Sequence, residues 1–163
     1  MSRILALCLL LTLAACAVRG PIPDEGWRLV GKLSVSTTRE SRILGVDWRH
    51  TKDGDEIALT GPLGLKVAQI SSQGSELVVD TGSRSYHLDD AHPQGSDDLD
   101  ALALPWQQLA LWVRTDRIGV VAERPWRFEV TELSADGPTR MQLEHPEVSL
   151  KLKVNRWELQ GVN

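Results

Sequence analysis

The sequence predicts a mainly β domain, an antiparallel meander with one helical insertion. Three observations carry this. Apolar and polar residues alternate with a period of two through most of the chain, as strands with one buried face require. The alternating stretches are separated by turn-forming pairs such as Asp53-Gly54, Gln73-Gly74 and Thr81-Gly82. Connections that short allow only antiparallel pairing, because a parallel crossover takes about a dozen residues or more. A helical period occurs in a single region, residues 96–114.

The ordered domain is expected to begin at Trp27 and run to residue 163. Trp27, Leu29, Leu33 and Val35 share one face of the first strand, and Arg28, Lys32, Ser34 and Ser36 the other. Leu44, Val46 and Trp48 repeat the pattern against Gly45, Asp47 and Arg49. The turn Lys52-Asp53-Gly54 leads to a strand in which Ile57 and Leu59 alternate with Glu56, Ala58 and Thr60. After Gly61-Pro62-Leu63-Gly64 come strands at Leu65 to Ile70, Glu76 to Asp80 and Arg84 to Leu88.

Ser96, followed by Asp97, Asp98 and Asp100, suits a helix start, since a side-chain oxygen caps free backbone N–H groups and acids complement the helix dipole. Pro105 interrupts the pattern and is acceptable as the first residue of a second helix, in which Trp106, Leu109, Ala110 and Val113 share a face. Two short helices are therefore expected, covering the apolar side of the sheet. Strands resume at Ile118 to Ala122, Trp126 to Glu132, Thr139 to Glu144 and Val148 to Asn155, for nine or ten in all.

Ahead of the domain, Arg3 and the ten-residue apolar run Ile4 to Leu13 form an export signal too short to span a bilayer as a helix. Leu13-Ala14-Ala15-Cys16 resembles a bacterial lipobox, which implies cleavage of residues 1–15 and lipidation of Cys16; a plain secretory signal that contains a cysteine is the alternative. Cleavage would leave 148 of the 163 residues, with 17 basic and 22 acidic side chains. Cys8 would be lost and Cys16 lipidated, so the mature chain would hold no free thiol and no disulfide. Residues 16–26, with two prolines and two glycines, read as a flexible tether.

Composition narrows the function. Hydrophobic residues at 42% and charged residues at 25% fit a globular chain, and a net charge of −4 does not suit a surface built to neutralise phosphates. Nucleic acid is not an expected partner. The aromatic set is unusual: one Phe, one Tyr and six Trp. No G-x-S-x-G, Walker A, Rossmann, H-E-x-x-H or C-x-x-C pattern is present, so no enzymatic activity and no cofactor are expected. His87, Asp89, Asp90 and His92 are the best metal candidates by spacing, but they leave a strand for a loop and read as a solvated acidic turn; no metal is expected. Lys151, Lys153 and Arg156 form a basic group near Trp157 that fits either anionic headgroups or the solvated face of an edge strand. In Gly61-Pro62-Leu63-Gly64, a tight turn uses Gly and Pro for their backbone angles but does not need leucine. Leu63 either folds back on the sheet or stands exposed at the tip.

The lipobox, Trp27 to Val35, the strand ending at Trp48, Leu59 to Gly64, Leu104 to Leu109 with Leu111-Trp112-Val113, and Leu150 to Val154 with Trp157 together resemble the LolB family. These are outer-membrane lipoproteins that receive other lipoproteins from the periplasmic carrier LolA. The resemblance implies an unclosed antiparallel half-barrel whose apolar concave face, partly lidded by helices, binds acyl chains. It also implies a monomer anchored through Cys16 to the periplasmic face of the outer membrane, with an exposed Leu63 in a membrane-insertion loop, Gly61, Pro62, Leu63 and Gly64. The cavity wall is then expected at Leu33, Val35, Val46, Trp48, Ile57, Leu59, Leu109, Trp112 and Val113, each of which would otherwise be closed core. A structural lipoprotein with a filled core and a protein-binding surface is the alternative. Two departures stand out: only about ten residues separate Cys16 from Trp27, where the family usually has a helix, and Arg114 to Trp126 is short.

Overall fold

The computed structural model describes residues 26–74, 76–89, 106–123 and 126–159. Ten strands form one antiparallel sheet: β1 (Trp27–Thr37), β2 (Ser41–Thr51), β3 (Gly54–Thr60), β4 (Lys66–Gln73), β5 (Glu76–Asp80), β6 (Ser85–Asp89), β7 (Gly119–Ala122), β8 (Arg127–Leu133), β9 (Pro138–His145) and β10 (Val148–Leu159). A short 3-10 turn occupies Pro62–Gly64, and a helix, α1, spans Trp106–Trp112. The first expected helix and the start of the second, residues 96–105, lie outside the described residues.

The strand order is β6-β5-β4-β3-β2-β1-β10-β9-β8-β7. Two meanders therefore meet at one seam, where the first strand pairs with the last, Leu33 opposite Leu152 and Val35 opposite Leu150. The sheet does not close, since β6 and β7 remain its edges. It curls strongly: Ile57 and Ile70 from one half border the same hollow as Phe128 and Met141 from the other. The period-two pattern explains which face turns inward. Trp27, Leu29, Val46, Trp48 and Ile57 are buried, while Arg28, Asp47 and Glu56 take the outer face.

The expected end of β10 is corrected: the strand runs four residues past Asn155, to Leu159. Its register against β1 slips between Val30 and Gly31, where Val30 faces Arg156 and Gly31 faces Val154. The extra residue is a β-bulge, and it returns Trp157 to the inner face that simple alternation from Val154 would deny it. Gly31 sits at this point because a Cβ there would lie 2.3 Å from the Lys153 carbonyl oxygen. Nor is β10 an edge strand, since it lies between β1 and β9. Its lysines cannot be explained as edge protection.

The outer face carries ion pairs across the seam. Arg28 donates from Nε and Nη2 to the two Asp47 carboxylate oxygens at 2.8 and 2.6 Å, and from Nη1 to Glu158 at 3.2 Å. These contacts tie β2, β1 and β10 together. The hydrogen bond from Arg28 holds the Asp47 carboxyl below its ordinary pKa, and the same contact raises that of Arg28.

Candidate functional site

The inner face encloses an apolar hollow of about 160 Å³. Leu33, Val35, Val46, Trp48, Ile57, Leu59, Leu109 and Val113 all line it. Trp112, the ninth residue expected there, does not. It lies at the end of α1, half-buried, with its ring 5.7 Å from that of Phe128. Leu109 and Val113, four residues apart, share a face, whereas the Trp112 ring packs on Phe128, which is itself a lining residue. Residues from the second meander complete the wall, among them Trp126, Phe128, Met141, Leu143, Leu150 and Leu152. Sequence reasoning left these out because nothing local shows that β8 to β10 curl round to face β2 and β3. Their own alternation was the signal that could have found them.

The hollow has a closed end and an accessible end. At the closed end Trp27 packs edge-on against Trp48 at 5.1 Å and Trp157 at 5.5 Å, and stacks on His50 at 5.1 Å. Leu29 beside them is wholly buried. Polar groups fix these rings. Trp48 Nε1 donates to Asp55 Oδ1 at 2.7 Å, His50 Nδ1 lies 2.9 Å from the same oxygen, and Ser72 Oγ donates to Asp55 Oδ2 at 3.3 Å. Trp157 Nε1 donates to the Pro138 carbonyl at 2.8 Å. At the other end the lining residues Leu33, Val35, Leu59, Leu150 and Leu152 are only half-buried.

The loop of residues 61–65 projects from this accessible end, because Thr60 pairs with Gly45 on the row that also holds Lys32 and Lys153. The Gly61 N–H donates to the Leu65 carbonyl at 2.8 Å, which closes the turn. Leu63 is 97% exposed and Leu65 68%. Leu63 does not fold back on the sheet. Its φ of 66° and ψ of 13° lie in the left-handed region, which costs a branched-chain L residue about 1 kcal/mol or more. An apolar side chain is thus held outward by a backbone that glycine would adopt more easily.

Cys16, the tether and Asp90 to His92 lie outside the described residues. Among the described residues, no cluster of three His, Cys, Asp or Glu could hold a metal, and no helix is long and apolar enough to cross a membrane. His87 instead pairs with Glu76 across β5 and β6 at 3.2 Å. The six tryptophans divide: Trp48 and Trp126 line the hollow, Trp27 and Trp157 close its end, and Trp112 backs the helix. The Trp106 side chain lies outside the description.

An open antiparallel sheet curled round an apolar hollow, with a short helix across it and an apolar loop beside its accessible end, is the class of protein that fold and site define. Comparison supplies the family. The family described as "Outer membrane lipoprotein LolB" matches residues 25–133, and the chain belongs to it. It is 25% identical to the outer-membrane lipoprotein LolB of Shewanella baltica, an alignment covering 93% of this chain and 86% of that one. With its counterpart from Chromobacterium violaceum it shares 24% identity, over 96% and 98% of the two chains. The Shewanella baltica alignment runs over 187 positions, more than the 163 residues here, so that relative has segments this chain lacks. A LolA superfamily protein from Nitrosomonas europaea aligns over 86% of this chain and 89% of its own, with a TM-score of 0.46 and 10% identity.

Proposed function

We propose that this protein is anchored to the outer membrane through a lipidated Cys16, accepts lipoproteins from a LolA-type periplasmic carrier by binding their acyl chains in the hollow, and delivers them to the membrane. The observation that carries the reading is the apolar hollow opening beside an exposed leucine. A chain of about sixteen carbons costs on the order of 12 kcal/mol to expose to water. Cargo must therefore pass directly between apposed openings. Tighter binding in the acceptor gives the direction, about 1.4 kcal/mol for each tenfold bias.

The size of the hollow adds a constraint. A cavity of about 150 Å³ lined by aliphatic side chains holds one benzene, so about 160 Å³ takes only a short stretch of an acyl chain. Outward movement of α1, which contributes Leu109, and of Val113 just after it would make room for the rest. Leu63 then serves at the exit, where its exposed side chain enters the acyl region of the bilayer and lowers the cost of release. The apolar lining of the hollow supports this reading over a structural lipoprotein with a filled core.

The test is a transfer assay: the purified, lipidated protein in vesicles is offered LolA loaded with a lipoprotein. Movement of cargo into the vesicles is expected, with Leu63→Glu blocking the last step while the fold is kept. A protein that takes up no cargo overturns the proposal.

A further inference from the structure

The outer face carries a feature that acyl-chain binding leaves unused. Most cations there have anionic partners: Arg28 with Asp47 and Glu158, Arg127 with Glu129, Arg140 with Glu132, Arg156 with Glu158. The lysines differ: none makes an ion pair among the described residues, and three of them, Lys32, Lys151 and Lys153, stand exposed together on adjacent strands. Lys32 lies directly opposite Lys153 across the β1–β10 seam, and Lys151 is the next outward residue along β10. Like charges facing each other across strands oppose folding, and here they sit in the middle of the sheet, where no edge needs protecting. Arg156 of the basic group expected from sequence is neutralised by Glu158 at 2.7 Å, and Lys32 takes its place.

Position indicates the partner. The cross-strand row Lys66, Thr60, Gly45, Lys32 and Lys153 runs from the base of the Leu63 loop to the seam. The register slip between Leu59 and Thr60 sets Lys66 opposite Thr60, so a fourth lysine ends the row at the loop. Four of the five lysines of the chain thus lie in the half of the sheet that carries the loop; Lys52, in the β2–β3 turn, is at the far end. In a chain of net negative charge this is a marked segregation.

We infer that Lys32, Lys151 and Lys153 form a docking face for the anionic headgroups of a bilayer, holding the domain with its accessible end towards the membrane. The inference rests on the proposed membrane role of the Leu63 loop for its choice of partner. Each lysine near an anionic surface gains about 1 kcal/mol, roughly fivefold in occupancy, and the gain fades when salt shortens the Debye length.

The experiment is lysine footprinting with a water-soluble acylating reagent on the full lipidated protein. It is reconstituted in vesicles of phosphatidylethanolamine with phosphatidylglycerol, and separately in phosphatidylcholine alone. Lys32, Lys151 and Lys153 should be modified about fivefold more slowly in the anionic vesicles at low salt. Lys52 should react alike in both, and 0.5 M salt should remove the difference. Equal modification of the three lysines in both vesicles overturns the inference, as does protection that high salt leaves unchanged. A parallel cargo-transfer measurement separates the two ideas. Transfer with no footprint removes the docking face and leaves the acceptor reading, whereas a footprint without transfer does the reverse.

Discussion

The guanidinium of Arg114 lies 4.7 Å above the ring of Trp157, and its Nη1 donates to the Asp136 carbonyl at 2.9 Å. Arg114 follows the C-terminal end of α1, so these two contacts moor the helix to the closed end of the hollow and to the β8–β9 turn. Motion of α1 is then expected to be greatest at its other end.

Loss of that mooring should loosen the helix. Arg114→Ala removes a cation–π contact and a charged hydrogen bond, together about 1–3 kcal/mol. The expected outcome is faster amide exchange in α1 and faster uptake of a fluorescent fatty acid, with exchange in β1 and β2 unchanged. Gly137 offers a second route to the same place. Its φ is 143°, and a Cβ would lie 2.8 Å from Arg114 Nη1 and 3.2 Å from Trp157 Nε1. Gly137→Ala should cost about 1–3 kcal/mol by urea denaturation.

Asp55 holds the wall on the other side. Its side chain is 14% exposed and accepts from Trp48 and Ser72. Asp55→Ala strands the Trp48 indole N–H and should lower stability by about 1–3 kcal/mol, with a shift in tryptophan fluorescence. Asp55→Asn, which keeps an acceptor oxygen, should lose less.

Leu63 separates stability from function. Because its backbone is left-handed, Leu63→Gly should leave the urea midpoint unchanged or raise it by up to about 1 kcal/mol in stability. The same substitution should reduce delivery of cargo into vesicles. A large loss of stability in this variant would show that the side chain has a packing role its exposure does not suggest.

The Arg28–Asp47 pair predicts an acid limb of stability. The folded-state pKa of Asp47 is depressed, chiefly by its hydrogen bond from Arg28. Its contribution is therefore complete above the unfolded carboxylate value, about 3.9, and is lost as pH falls through the lower folded value. Asp47→Asn should flatten the decline of stability below about pH 4, measured as urea midpoint against pH. An unchanged acid limb would place the relevant carboxylate elsewhere.

Much of this architecture was legible locally. The faces of β1 to β3 followed from alternation at Leu29, Val46 and Ile57, and the short turns required antiparallel neighbours. Eight of the nine expected wall residues border one hollow. Trp112 packs instead on Phe128 of the wall, a contact between residues distant in the chain that no local pattern shows. Trp157 could not be placed, since a bulge leaves no mark in the hydrophobic pattern beyond an apparent loss of phase. The lysine group was half legible: Lys151 and Lys153 stood out in sequence, but Lys32 lies more than a hundred residues away and joins them only through strand pairing.

By itself the sequence determined which side of each strand is apolar, where the chain turns, and that a leucine occupies the tip of a glycine-proline loop. Those properties depend on residues within a few positions of one another. The tertiary structure alone decided that the first strand pairs with the last and that the sheet curls into a hollow closed by tryptophans at one end. It also decided that the accessible end, the Leu63 loop and the lysines fall together. The physical reason is that these relations join residues distant in the chain, and they are set by register, bulges and packing of the whole sheet, which local alternation does not encode.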